Sequence, residues 1–376
     1  MRIAPFTLER VQSEWEHRVR YNLSESGVHP LSVRGLLGDG AALDALVDAP
    51  LIYTQTNGTP ELRASIAALY PGAEADHVQV TNGGSEANFV VTWRMVEPGD
   101  EVVVMVPAYM QVAGLVQAFG GTVREWPMVR AGGVWRPDLD RLTALVTAKT
   151  RAIVINTPNN PTGARLTAGD LDAIAAIADR TGAWIVSDEI YRGAEFDGVE
   201  SPSMWGRSAR VIVTSGLSKA YGLPGLRVGW AVGPPGVAAS LWAYHDYTSI
   251  APGALSDRLA TVALAPATRA RLLDRTRAIL RENVPRVEAW LRDCGHPFEW
   301  TTPDAGAFLY ARYGLPVGST ALTDRLREDE SVLIVPGDAF GMDGYLRFGV
   351  GERADYVLAG LDRLKAFLDR TAPGAH

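Results

Sequence analysis

The chain has almost no lysine. Of its 36 Lys and Arg residues only Lys149, Lys219 and Lys365 are lysines, in 376 residues that also carry 43 Asp and Glu. GC-rich coding favours arginine and accounts for the bias, but the bias has a chemical consequence. A mechanism that needs an amine nucleophile has three side chains to choose from. Cysteine is scarcer still. Cys294 alone can form neither an internal disulfide nor a multi-cysteine metal site, so a reducing, cytoplasmic setting is expected. No run approaches the roughly 18 apolar residues of a spanning helix, and the charged N-terminus MRIAPFTLERVQSEWEHRVR has no apolar signal-peptide core. The six histidines (17, 29, 77, 245, 296, 376) show no HExxH spacing, so no zinc hydrolase and no metal centre is expected. The absence of GxxxxGK[ST] removes the ordinary P-loop NTPase. A net charge of −7 argues against nucleic-acid binding, which needs a basic face.

What is present is an alternation. Short β-branched runs at 78–80, 102–106, 152–155, 184–187, 211–214 and 228–232 read as strands covered on both faces. Helical patterns lie between them: Pro60–Leu69 with proline in its first turn, Ser85–Met95 after a glycine pair, and Thr167–Asp179 behind a threonine cap. Strand–helix alternation means an α/β domain with a mainly parallel sheet. The last third differs. Residues 255–290 read as an Arg-rich amphipathic helix broken near Pro266 and Pro285, followed by strands at 308–311, 332–335 and 345–349 and a final helix over 354–368. That is a smaller α+β domain. The expected division is residues 1–45 as an N-terminal segment packing with the small domain and closing over the site, 46–277 as the large domain, and 278–376 as the small one.

Ligands of open α/β sheets sit at the carboxyl ends of the strands, so the residues that follow the strands carry the chemistry. Lys219, just after a β-run and among small residues, is placed to form a Schiff base with a carbonyl. Asp188 ends the strand AWIVSD, and a carboxylate this close behind an apolar run wants a cationic partner. A pyridinium nitrogen would serve. Gly83, Gly84 and Ser85 open a helix after a strand, where backbone N–H groups bind phosphate. Asn159-Asn160-Pro161-Thr162-Gly163 is a dense turn with a candidate cis bond at Asn160–Pro161. Each has a plainer reading alone: a surface lysine, a helix cap or internal salt bridge, a tight strand-to-helix turn, a surface turn. Together they supply an amine, an acid for a ring nitrogen, a phosphate cradle and an amide for a ring hydroxyl.

With NNPTG (159–163), SDEIYRG (187–193) and SKAYGLPGLRVGW (218–230) in order and at similar separations, the chain resembles the fold-type I pyridoxal-phosphate enzymes of the class I/II aminotransferase family, over nearly its whole length. The resemblance implies a mainly parallel seven-stranded sheet, pyridoxal 5'-phosphate as cofactor, and an amino-acid substrate. It implies roles by position. Lys219 holds the cofactor and moves the substrate Cα proton. Asp188 pairs with the pyridine nitrogen, Asn160 and Tyr191 bind the phenolic oxygen, and Tyr109 stacks on the ring. Gly84, Ser85 and Arg227 hold the phosphate, with Tyr53 added from a neighbouring subunit, which makes the enzyme a homodimer. Arg347, in GYLRFGVG, clamps the substrate carboxylate, and Gly27 belongs to the segment that closes over it. Gly216 stands where the family has Ser or Thr, leaving Ser218 or Ser215 to replace that phosphate contact. His29 is expected near the substrate or bracing a loop.

Transamination of an L-amino acid with a 2-oxo acid is the leading expectation. The chain also resembles capreomycidine synthases and relatives that eliminate, cyclise or oxidise arginine-like substrates. Glu14, Glu16 and Glu25 could meet a cationic substrate tail, though the first two also fit a solvated helix face. Trp15, Tyr244, His245 and Tyr247 are candidates for the cavity mouth. A cofactor-binding sensor without catalysis is a weaker alternative, since no helix-turn-helix domain fits before Gly27.

Overall fold

The structure is a computed structural model and describes residues 2–371. The large sheet has eight strands: β1 (Val78–Thr81), β2 (Glu101–Val106), β3 (Thr122–Ala131), β4 (Val134–Pro137), β5 (Thr150–Asn156), β6 (Trp184–Asp188), β7 (Val211–Gly216) and β8 (Gly229–Val232). Their spatial order is β1-β8-β7-β6-β5-β2-β3-β4. The run β7-β6-β5-β2-β3 is parallel, whereas β8 is antiparallel to both β7 and β1. Two reversals leave β1 pointing the same way as β7. The residues after β1, β2, β5, β6 and β7 therefore leave the sheet at one edge.

The strands are apolar because both faces are covered. Val102 and Val104 join the core on one face, while Val103 and Met105 join the core on the other, the alternation a pleated strand imposes. Helices pack on each side. In the helix Ala168–Thr181, Thr167 accepts from the Asp170 N–H and the Asp170 side chain accepts from the Thr167 N–H, and Gly182 ends it at φ 71°.

Two features depart from the sequence reading. The sheet has one strand beyond the expected seven. It is β4, joined to β3 by Gly132 and Gly133, both at positive φ, a two-residue hairpin of the kind a Gly-Gly pair favours. Pro127 and the exposed residues of β3 hid this edge hairpin. The expected break at Pro285 is absent. One helix runs Pro266–Asp293, with Leu280, Val284, Val287 and Leu291 buried on both sides of the proline, and that packing outweighs the hydrogen bond the proline removes. This helix runs through residues 277–278, where the sequence reading divides the two domains.

The small domain has an antiparallel sheet of β9 (Phe298–Trp300), β10 (Phe308–Tyr313), β11 (Val335–Pro336) and β12 (Tyr345–Gly349) in the order β9-β10-β12-β11. Tyr21–Asn22 pairs in parallel with Val332–Leu333, which ties the N-terminal segment to this domain. No helix among the described residues is long and apolar enough to cross a membrane.

Candidate active site

A cavity of about 280 Å³ opens at the carboxyl edge of the large sheet. Its walls carry Lys219, Asp188, Tyr191, Asn160, Tyr109, Gly84, Ser85, Ser218, Arg227 and Arg347. The other sequence-derived site residues, Gly27, His29 and Tyr53, do not line it.

Asp188, the last residue of β6, accepts from the Ile190 N–H at 3.1 Å and from Asn88 Nδ2 at 3.1 Å. Burial pushes its carboxyl above the ordinary value, and those two donors pull it back. No cation among the described residues is bonded to it. Lys219 follows β7, with its Nζ 3.7 Å from Glu25 Oε2. The Lys219 ammonium holds the Glu25 carboxyl below its ordinary value. Gly27 rests against this lysine. A Cβ there would stand 3.3 Å from the Ser218 carbonyl and 3.5 Å from Lys219 Cδ.

The Gly83–Ser85 turn packs tightly on Arg227. Gly83 has φ +100°, and a Cβ on it would lie 2.2 Å from Arg227 Nη2. Arg227 itself sits at φ 50°, a left-handed conformation that costs a side-chain-bearing residue about 1 kcal/mol. Its Nη1 donates to Ser218 Oγ at 3.3 Å. Arg227, Ser218 and Ser85 thus gather at the N-terminus of the helix Gly84–Met95, where the helix dipole and free N–H groups favour an anion. Gly216 departs from the family for a steric reason: a Cβ would meet the Val228 carbonyl at 2.8 Å and Gly229 Cα at 3.1 Å. Of the two candidate replacements, Ser218 faces the cavity, whereas Ser215 Oγ donates to the Glu189 carbonyl at 3.2 Å.

Arg347 is 1% exposed. One Nη donates to Asn160 Oδ1 at 2.8 Å and the other to the Ser24 carbonyl, while Nε has no partner. Burial pulls its guanidinium below the ordinary value, and no carboxylate is bonded to it among the described residues. Such a buried arginine is built to receive an anion. Tyr191 donates to Ser26 Oγ at 2.9 Å, and burial pushes its phenol up. The Asn160 N–H is held by Asn156 Oδ1 at 2.7 Å. The peptide bonds before Pro107, Pro158 and Pro161 are cis.

The roof is the N-terminal helix Thr7–Trp15 and the segment after it. Glu9, Gln12, Ser13 and Glu16 share one helical face and line the cavity with Glu25. Tyr109 donates to Glu9 Oε1 at 2.7 Å. Glu14 does not line the cavity.

The remaining sequence-derived candidates lie away from the cavity. His29 does not face the cavity. Arg275 Nη2 contacts both its Nδ1 (2.8 Å) and its carbonyl (2.7 Å), so it braces a loop. Tyr53 is 82% exposed and away from this chain's own cavity. Trp15 lies under the Arg327 guanidinium at 4.3 Å, Tyr244 packs edge-on against Trp93, and His245 is buried against Glu86 and Ser249. None of these three lines the cavity, nor does Tyr247. Asn88, Ser26 and Glu9 were missed. Only Glu9 had a readable signal, its spacing from Gln12 and Glu16.

The residues fit pyridoxal phosphate. Among the described residues, Asp188 is a half-buried carboxylate without a cation, Arg347 a buried cation without a carboxylate, and Lys219 an amine on the same cavity, with an anion cradle beside Arg227. Comparison with known proteins agrees. The family model "Aminotransferase class I and II" matches residues 48–364. A capreomycidine synthase from Streptomyces vinaceus is 33% identical over 335 residues, 88% of this chain and 85% of that protein. An arginine–pyruvate transaminase from Pseudomonas aeruginosa is 31% identical, covering 82% of this chain and 80% of its own. A crystal structure of a PLP-dependent aminotransferase from Streptococcus suis superposes with a TM-score of 0.92 at 31% identity, covering 99% of this chain and 100% of the other.

Proposed function

We infer the reaction from one premise: this chain belongs to the aminotransferase class I and II family, and it is an enzyme. We propose that it carries pyridoxal 5'-phosphate on Lys219 and transfers an amino group between an L-amino acid and a 2-oxo acid. The observation that carries this reading is the convergence of Lys219, the cation-free Asp188 and the carboxylate-free Arg347 on one cavity. When bound, the cofactor supplies an electron sink for bond breaking at the substrate Cα. Asp188 holds a proton on the pyridine nitrogen. The amide of Asn160 and the phenol of Tyr191, its proton turned from Ser26, would donate to the phenolic oxygen, and Tyr109 would cover a ring face. Gly84, Ser85, Ser218 and Arg227 bind the phosphate. Arg347 pairs with the substrate α-carboxylate, and Lys219 Nζ takes the Cα proton and returns it elsewhere.

A second observation bears on the substrate. Three carboxylates, Glu9, Glu16 and Glu25, face a cavity meant for an amino acid whose own carboxylate is already met by Arg347. They favour a substrate with a cationic side chain, in keeping with the names of two relatives, capreomycidine synthase and arginine–pyruvate transaminase. The first is named a synthase rather than a transaminase, which supports a second outcome on such a substrate, elimination, cyclisation or oxidation being the alternatives to transamination that the sequence reading holds open.

The homodimer is part of the same reading. Leu51, Ile52 and Tyr53 are exposed, as are Tyr247 and Ile250, on segments that Thr54 and Pro252 join by a 3.1 Å hydrogen bond. A second copy would cover this patch and receive Tyr53. The domain division at 45 and 277 is retained as a proposal, and so is a cytoplasmic location, on the buried unpaired Cys294. The deciding experiment is an amino-acid panel with mass analysis of products, with and without a 2-oxo acid. Product formation that requires the 2-oxo acid is expected. A product formed without it supports the second outcome, and no turnover of any amino acid by the cofactor-loaded enzyme overturns both.

A further inference from the structure

Asp188 is held by a side chain that lies in none of the motifs. Asn88, 4% exposed, stands on the helix Gly84–Met95 one turn beyond the phosphate-side glycines. Its Nδ2 donates to Asp188 Oδ2 at 3.1 Å and lies 3.4 Å from Gln111 Oε1. Its Oδ1 accepts from Thr214 Oγ1 at 2.7 Å. Thr214 is 1% exposed and sits on β7 directly opposite Asp188 in the parallel ladder. These contacts leave the amide one orientation. A flipped Asn88 would set its oxygen against both the Asp188 carboxylate and the Gln111 amide oxygen. The aspartate takes its other hydrogen bond from the Ile190 N–H. Its approach to the cavity is therefore set by one backbone group and one side chain.

We propose that Asn88, oriented by Thr214, is a positioning residue that aims the Asp188 carboxylate at the nitrogen of the cofactor ring. The inference rests on the pyridoxal-phosphate reading and extends it to a chain of three side chains, Thr214–Asn88–Asp188, on two strands and a helix. Without the Asn88 donor, this half-buried carboxylate loses its only side-chain partner among the described residues, its desolvation favours the neutral form, and a neutral acid is a poor partner for a protonated ring nitrogen. The same helix delivers Ser85 to the phosphate side. One rigid element thus sets both ends of the cofactor's seat.

The test uses full-length protein freed of cofactor and compares wild type, Asn88→Leu and Thr214→Val. Leu keeps the bulk of Asn88 without its donor, and Val keeps the shape of Thr214 without its hydroxyl. Two quantities are read: the equilibrium affinity for pyridoxal phosphate, and the position and intensity of the visible absorption of the lysine-bound cofactor at fixed pH. Asn88→Leu should weaken binding by about tenfold, the effect of one buried hydrogen bond to a charged group, and shift the visible band. Thr214→Val should move both in the same direction by about threefold, as loss of a neutral hydrogen bond does. If Asn88→Leu does not fold, Thr214→Val alone decides. Folded variants with wild-type affinity and a wild-type band overturn the inference while leaving the cofactor reading intact. A wild-type chain that takes up no pyridoxal phosphate overturns both.

Discussion

The floor and the roof of the cavity come from different kinds of structure. The floor is formed where β5, β6 and β7 end, by Asn156, Asp188 and the turn that carries Lys219. Its side chains are fixed by hydrogen bonds to neighbouring strands and to the helix behind them. The roof is a nine-residue helix joined to the rest by few bonds, among them Tyr109 to Glu9 and Gln12 to Ser24. On the floor, even a methyl group at Gly216 would strike backbone. On the roof, Glu9 and Ser13 are exposed and their neighbours half-buried. A floor fixed by hydrogen bonds suits bond-breaking, which needs charges held in place before the reaction. A hydrated, acidic roof suits choosing among side chains, where modest and adjustable interactions suffice.

Three variants test that contrast. Lys219→Ala removes the only lysine at the cavity and should lower turnover by about 10⁴-fold, the upper range for a general base. Single-turnover kinetics would show this, and activity within tenfold of wild type would break the assignment of chemistry to the floor. Arg347→Leu should raise KM for the amino acid and lower kcat/KM by about 100-fold, as expected for a desolvated charge pair. A loss confined to kcat would assign Arg347 a different role. Glu9→Gln with Glu16→Gln should leave kcat nearly unchanged and reduce the preference for a cationic over a neutral amino acid by about fivefold, as befits partly hydrated charges. A large fall in kcat would mean that the roof takes part in the chemistry.

The same contrast governs what could be read in the sequence. Floor residues follow apolar runs and sit in short motifs, so Lys219, Asp188, Asn160 and Arg227 were legible: strand, turn and functional side chain are contiguous. The roof was half legible. A helix whose polar face turns inward has the same pattern as one whose polar face meets water, and the pattern therefore favoured a solvated face for Glu16. Asn88 was illegible because its partner lies 100 residues away and only folding brings them together. His29 misled through proximity. It is two residues from Gly27, yet Arg275 turns it outward. The β3–β4 hairpin had a Gly-Gly signal that Pro127 obscured, and the helix through Pro285 persists because its buried neighbours hold it.

The three lysines allow a direct test of the central claim, that the floor holds the cofactor through one amine. The holoenzyme is reduced with borohydride, digested, and its peptides are weighed. The account predicts a single pyridoxyl group on the peptide containing Lys219. A group on Lys149 or Lys365 instead, or none on any lysine, would contradict it.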